Sequence, residues 1–482
     1  MATLILLVYA FFLAAILLYN LLQLNLLFHY LRRGEIVPPP PLDPARLPLV
    51  TIQLPLYNEP YVAERLIDNI LALDYPRDRF EVQVLDDSTD GTTALCEAKA
   101  AHYRAQGFDI QVIHRTDRWG YKAGALADGL PRAKGEFVAV FDADFLPNPQ
   151  FLRRTLGYFQ DPKVGVVQTR WTHLNEDYSL FAKLQALQLN VHFTIEQMGR
   201  RAGHHFLQFN GTAGIWRKSA IADAGGWRAD TLTEDLDLSY RAQMRGWEIL
   251  YLEEVEAPAE LPVEMNGIKS QQFRWMKGGA ENARLLTPLV LKADIPLSTR
   301  LHAMAHLLNS SVFLAVLMIA LTSVALVPVM DRYGAYTGFL SLSLLGLVGV
   351  ATVYFVANLR LLPRPRTLRQ VLALIFYFPL LLTLSMGLSF HNSVAVIEGL
   401  LGIKSSFVRT PKFNIVGQQR GKTDRRQRNP IGKSLIIEGL LTLLFASALV
   451  IAVSLQSYGF FIFHLMLAIG FGAIFVASWR ER

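Results

Sequence analysis

Long stretches without one charged side chain decide what this sequence can become. A bilayer core is spanned by about 20 apolar residues, and the first charge in the chain is Arg32, so Met1–Leu31 exceeds that length. A secretory signal would show a basic start, a short apolar core and a small-residue cleavage site; none of these is present. The stretch therefore reads as an uncleaved anchor helix at about 4–29, with Arg32 and Arg33 on the cytoplasmic side. Residues 1–33 form this anchor, and 34–47, which contain the VPPPPL run Val37–Leu42, form a stiff linker. Between 48 and 300 no uncharged run is long enough to cross, so this region is a water-facing domain that follows the basic end of the anchor.

Membrane character returns at Leu301. Leu301–Met330 and Tyr333–Leu359 are uncharged and are separated by Asp331-Arg332, a helical hairpin over 301–360. Gly439–Trp479 is uncharged for 41 residues, about 60 Å as helix. It must fold back, near Gln456–Gly459, as a second hairpin over 434–482. Val371–Ile397 is different. Arg360, Arg364, Arg366 and Arg369 precede it, and nine basic residues follow between Lys404 and Lys433. If both flanks are cytoplasmic, this segment cannot cross once. With Pro379 and Gly387 interrupting it, 361–433 reads as interfacial or re-entrant helices and a basic loop, giving five crossings with the N-terminus outside; the alternative, a sixth crossing, puts one basic flank on the wrong side.

Composition removes other classes. Charged residues are 18% of the 482, the AVILMFWYC set is 52%, and mean hydropathy is +0.27, against about 25% charged in soluble chains. The single cysteine, Cys96, rules out a disulfide framework. The net charge of +7 sits in loops beside apolar runs, which marks cytoplasmic loops rather than a nucleic-acid surface. A transporter would need charges or broken-helix sites within its crossings, and these crossings offer few.

Within 48–300 short β-branched runs alternate with helical patterns. Strands are predicted at Leu49–Leu54, Glu81–Leu85, Asp109–His114, Glu136–Phe141 and Val164–Thr169, with helices at Val62–Leu73 and Thr92–Gln106. This is the rhythm of a mostly parallel, Rossmann-like α/β sheet, whose ligands bind beyond the carboxyl ends of strands. The first strand is followed by Tyr57-Asn58-Glu59, the second by Asp86-Asp87-Ser88 and the fourth by Asp142-Ala143-Asp144. One such pair is an ordinary turn or cap. Several at one edge repel unless a cation sits among them, and Mg²⁺ or Mn²⁺ with a diphosphate meets that need.

A strand-terminal Asp-Asp, an Asp-x-Asp, then Thr233-Glu234-Asp235 and Gln271-Gln272-Phe273-Arg274-Trp275 follow in that order. Over roughly 48–430 the chain thereby resembles the processive family-2 glycosyltransferases: cellulose, chitin and hyaluronan synthases and the cellulose-synthase-like mannan and glucan synthases. The resemblance implies a GT-A fold, a cytoplasmic catalytic domain attached to an α-helical transmembrane domain, and inverting transfer from a nucleotide sugar. It implies nucleoside contacts from Asp87 and Tyr57-Asn58-Glu59 with Asp86 in support, and diphosphate and metal at Asp142 and Asp144. Asp235, beside Glu234, becomes the general base, while Thr233 can cap the helix from Leu236 onward. Lys122, in Arg118-Trp119-Gly120-Tyr121-Lys122-Ala123-Gly124, supplies counter-charge to the diphosphate. Gly211 and Thr212, in Phe209–Gly214, line the acceptor site with Gln271, Gln272 and Trp275, and Arg274 pairs with the departing diphosphate. Trp275 can pack on a sugar face or mark a membrane interface. Phe407–Lys412 resembles the gating loop of cellulose synthase, with Arg409 where that pattern has an apolar residue and Lys412 toward the nucleotide; Arg420–Lys433 suits anionic lipid.

The reading is a polysaccharide synthase using UDP-glucose first and GDP-mannose second, with a β-linked glycan as acceptor and membrane lipids around it. The alternative is transfer of one sugar to a lipid or polyprenyl acceptor. The expected location is the plasma membrane of a prokaryote or a Golgi-type membrane of a eukaryote.

Overall fold

The structure, a computed structural model, describes all residues except Met1, Ile36, Gly334, Ala335, Ser406, Pro411, 416–432 and Arg482. All of Arg420–Lys433 except Lys433, the expected lipid-facing stretch, lies outside the described residues.

The anchor is one helix, α1 (Ala2–Arg32). Its end is fixed to the catalytic domain: Tyr30 Oη donates to Glu253 at 3.0 Å, and Arg33, lying over the Tyr30 ring, pairs with Glu253 at 2.9 Å. The linker follows the domain surface, where the Pro40 carbonyl accepts from Gln160 at 3.0 Å.

The domain then runs β1 (Val50–Leu56), α2 (Ala63–Leu71), β2 (Phe80–Asp86), α3 (Thr92–Arg104), β3 (Ile110–His114), α4 (Tyr121–Gly129) and β4 (Phe137–Val140). It continues as α5 (Phe151–Thr155), β5 (Val164–His173), α6 (Leu180–Val191), a π-helical turn at His192–Glu196, and α7 (Gln197–Ala202). β6 (Gly214–Arg217), α8 (Lys218–Asp223), α9 (Glu234–Met244) and β7 (Glu248–Ala259) complete it. The seven strands lie in the order β3-β2-β1-β4-β6-β5-β7, all parallel except β6. Both faces are buried, as parallel sheets require. Along β4, Phe137 and Ala139 enter the core beneath α2, α3 and α5, while Val138 and Val140 enter the other, with Trp216, Leu238 and Tyr30. The chain turns from β1 to β2 on one side and to β4 on the other, so the crevice at their carboxyl ends is a topological switch point.

The five predicted strands are present within a few residues. β6 and β7 escaped the pattern: β6 has four residues, and β7 carries Glu253, Glu254 and Glu256, whose charges mask its alternation.

Beyond the sheet come α10 (Met265–Lys292), α11 (Leu297–Leu307), α12 (Val312–Tyr333), α13 (Tyr336–Leu361), α14 (Leu368–Gly387), α15 (Ser389–Leu401), α16 (Lys433–Ser454) and α17 (Phe461–Arg480). Among the described residues six helices, α14 included, are long and apolar enough to cross a membrane. The expected break at Pro379 does not occur. Pro379 lies inside a continuous α14, whereas the other expected interruption, Gly387, ends that helix and α15 starts at Ser389. Leu301–Met330 is also divided, by a 3₁₀ turn at Asn309–Ser311 whose short polar side chains compete with helix. The fold-back of the last run falls where it was predicted. The chain is an integral membrane protein with a Rossmann-like domain.

Candidate active site

The carboxyl ends of β1, β2 and β4, the start of α9 and one face of α10 enclose a single cavity of about 1290 Å³. That exceeds the roughly 300–1,000 Å³ of a typical single-ligand site. Tyr57, Glu59, Asp87, Lys122, Asp142, Asp144, Gly211, Glu234 and Asp235 line it, with Gln271, Gln272, Arg274, Trp275 and Lys412. Three expected site residues do not. Asp86 is fully buried and accepts from Thr93, Ser88 N and the His114 ring. Thr212 is buried, and its Oγ1 accepts from Asp142 N at 2.8 Å. The Asn58 side chain holds Thr89. Each of these sets a neighbour in place rather than facing the cavity.

At the β2 end Asp87 is gripped by Arg115 through two bonds of 2.8 and 2.6 Å. Arg118 lies 3.3 Å over the Tyr57 ring. Neither arginine was singled out from sequence; both sit just past β3, on the same sheet edge, which was the available signal.

Past β4, Asp142 accepts from Lys122 Nζ at 2.5 Å and Asp144 from Lys412 Nζ at 2.7 Å, with Glu260 N as a second donor to Asp144. Lys122 also donates to the Gly211 carbonyl at 2.9 Å. Burial opposes its charge, but Asp142 and Glu234 raise its pKa above the ordinary lysine value. Gly211 has φ +76°, and a Cβ there would stand 3.1 Å from Asp235 Oδ2. An L side chain in this region costs about 1–2 kcal/mol. Gly211→Ala is therefore expected to lower melting temperature by several degrees and to cut activity further by pressing on Asp235. Unchanged activity in the purified variant would contradict this.

Glu234 and Asp235 open α9. Burial pushes Asp235 up to about 6 and Glu234 up to about 7, against the pull of Lys122. Asp235 Oδ1 accepts from Leu236 N at 2.9 Å, and Gln208 Nε2 stands 3.5 Å from Oδ2. The expected Thr233 cap is absent: its Oγ1 accepts from Asn282 instead, at 2.9 Å.

On α10, Arg274 donates to the Val408 carbonyl at 2.6 Å and lies over Phe407, and burial lowers its pKa to about 10. Phe407 also stacks on Tyr121. Arg409 pairs with Glu59 at 2.9 Å and donates to the Asn58 carbonyl; burial, outweighing both cations, leaves Glu59 up at about 8. Val408, Arg409 and Lys412 thus join α10, the β1 end and Asp144 across the cavity.

Residues 48–278 match the family model described as "Glycosyltransferase like family 2". The chain is similar to glucomannan 4-beta-mannosyltransferase 2 of Arabidopsis thaliana, 41% identical over 256 residues, 52% of this chain and 48% of the relative. It is also similar to glucomannan 4-beta-mannosyltransferase 1 of Cyamopsis tetragonoloba, 41% identical over 263 residues, 53% of this chain and 50% of the relative. The matched stretch spans about half the length of these relatives. The fold is similar to mannosyltransferase PcManGT from Pyrobaculum calidifontis in complex with GDP-Man and Mn²⁺, with TM-score 0.54 and 20% identity over 84% of this chain and 99% of that one.

Proposed function

We propose that this chain, whose residues 48–278 form a glycosyltransferase family 2 domain, is an inverting β-mannosyltransferase that extends a β-linked glycan from GDP-mannose. The observation that carries the reading is one cavity that collects Asp87, Asp142, Asp144 and Asp235 and continues between helices long enough to cross a membrane. The choice of sugar rests on relatives named as glucomannan 4-beta-mannosyltransferases, with GDP-mannose as the mannosyl nucleotide held by the Pyrobaculum calidifontis protein. It replaces UDP-glucose, the first choice from the sequence, where no motif decides between uracil and guanine.

In this reading Tyr57, Arg118 and the Asp87–Arg115 pair hold the nucleoside. Asp235 takes the proton of an acceptor hydroxyl as that oxygen bonds to the anomeric carbon. The bond from that carbon to phosphate breaks, and GDP leaves with its electron pair toward Lys122 and Arg274. Burial raises the basicity of Asp235 beside Glu234, and Gln271, Gln272 and Trp275 hold the acceptor ring. The catalytic domain faces the cytoplasm, beside Arg32 and Arg33.

Among the described residues no three His, Cys, Asp or Glu side chains gather closely enough to hold a metal ion alone. Asp142 and Asp144 nevertheless fit Mg²⁺ or Mn²⁺, which take one or two carboxylates and complete their shell with substrate phosphates. Such an ion, when bound, offsets charge on the leaving diphosphate.

Purified protein given GDP-mannose and UDP-glucose in turn, with linkage analysis of the products, tests the proposal. β-Linked mannose is the expected product; glucose transfer without mannose transfer overturns the donor assignment. Because Asp235 must be ionised to act and its pKa is raised, activity is expected to fall as pH drops through about 6. A rate flat from pH 7.5 to 5 would count against Asp235 as base.

A further inference from the structure

Two buried lysines of α10 bracket the segment Gln271–Trp275. Before it, Lys269 Nζ pairs with Glu438 of α16 at 2.6 Å, with 11% and 1% of the two side chains exposed. Ser434 donates to the same Glu438 oxygen at 2.8 Å. After it, Lys277 is fully buried, pairs with Glu398 of α15 at 3.1 Å and donates to Ser405 at 2.7 Å. The start of α10 has two further ties. Glu481, past the end of α17, accepts from Met265 N at 2.5 Å and from Asn266 N at 2.8 Å. His391 of α15 donates from Nε2 to the Lys269 carbonyl at 2.9 Å.

Ion pairs are a poor way merely to glue two helices together. Taking both charges out of water carries a penalty that their attraction offsets only in good geometry, and an apolar pair of similar volume is often at least as stable. What a buried charge pair can add is register. Met265 and Ile268 of α10 share an apolar cluster with Leu388 and Ile474, and such surfaces pack in more than one register. A lysine held by one carboxylate does not slide. The distinction matters here because Gln271, Gln272, Arg274 and Trp275 all line the cavity. A slip of one residue moves them by about 1.5 Å along the helix axis, and a misplacement of about 1 Å can cost about 10²-fold in rate. Lys269, Lys277, Glu398 and Glu438 themselves are not among the residues lining the cavity.

We propose that Lys269–Glu438 and Lys277–Glu398 are positioning pairs that fix the register of α10, and through it the aim of Gln272 and Arg274 at the reacting sugar. α15 and α16 then govern the transfer rate without touching substrate. The proposal rests on the transferase reading above. Its test compares wild type with Lys269→Met/Glu438→Leu and with the charge-exchanged Lys269→Glu/Glu438→Lys. The measurements are kcat, KM for GDP-mannose with a β-linked mannan oligosaccharide as acceptor, GDP affinity and melting temperature.

The apolar pair is expected to keep its melting temperature within a few degrees, and its GDP affinity and KM within about threefold, while kcat falls by about 10²-fold. The exchanged pair should recover most of that loss. Wild-type kcat in the folded apolar variant overturns the proposal, as does a folded exchanged variant no faster than the apolar one. If the apolar variant loses GDP binding, and with it the fold, Lys277→Met/Glu398→Leu is read in its place; loss of fold in both overturns the proposal, since the pairs then serve folding and not register. A wild type inert with GDP-mannose but active with UDP-glucose fails the donor assignment alone, and the same comparison proceeds with that donor. Transfer from neither overturns both readings.

Discussion

Asp235→Asn is expected to lower transfer by about 10²–10⁴-fold, the usual contribution of a positioned general base, while GDP affinity stays within about twofold. The substitution is nearly isosteric. The remaining oxygen can still accept from Leu236 N, and the Asp87–Arg115 pair at the other end of the cavity is untouched. What is lost is a group able to carry away the acceptor proton. Asp235 suits that work because burial has raised it to about 6, close enough to neutrality to receive a proton yet ionised at pH 7. Glu234→Gln is expected to reduce the rate less, since burial, the largest cause of Asp235's raised pKa, is left in place. Steady-state turnover with GDP binding by calorimetry makes the check. Near-wild-type turnover in Asp235→Asn would remove the base assignment, and a larger loss in Glu234→Gln would transfer it.

These carboxylates were visible in the sequence because chemistry forces them into short, ordered motifs. Asp142 and Asp144 follow an apolar strand, and Glu234-Asp235 open a helix. The parallel sheet was legible for a similar reason: strands buried on both faces read as continuous apolar runs. Contacts between distant segments were not legible. Nothing in the local pattern shows that Arg115 will grip Asp87 or that Gln23 will reach Glu196, 173 positions away. Pro379 misled because a proline in a membrane helix can be absorbed when neighbouring helices support the freed backbone. Gly387, the other interruption expected from the sequence, is where α14 ends. A Cβ on Gly387 would stand 2.5 Å from the Gly470 carbonyl, so α14 and α17 approach closely there.

Removal of divalent cations is the second large expected effect. Dialysis against EDTA should reduce transfer by about 10³-fold, the scale of several kcal/mol that an ion supplies to a developing phosphate charge, and Mn²⁺ or Mg²⁺ should restore it. The argument starts from the two carboxylates past β4. Each is now in contact with a lysine, Asp142 with Lys122 and Asp144 with Lys412. A diphosphate brings further negative charge to the same place, and Lys122, Lys412 and Arg274 must then serve two carboxylates and the phosphates together. Hard oxygen donors of this kind match Mg²⁺ or Mn²⁺ once phosphate completes the shell. Asp144→Asn should therefore weaken GDP binding in the presence of the ion and leave it nearly unchanged in EDTA. Calorimetric titration of GDP with and without Mn²⁺ gives a readout independent of turnover. Full activity in excess EDTA after dialysis, or a GDP affinity that ignores the ion in the wild type, would leave Lys122, Lys412 and Arg274 as the sole counter-charges to the leaving group.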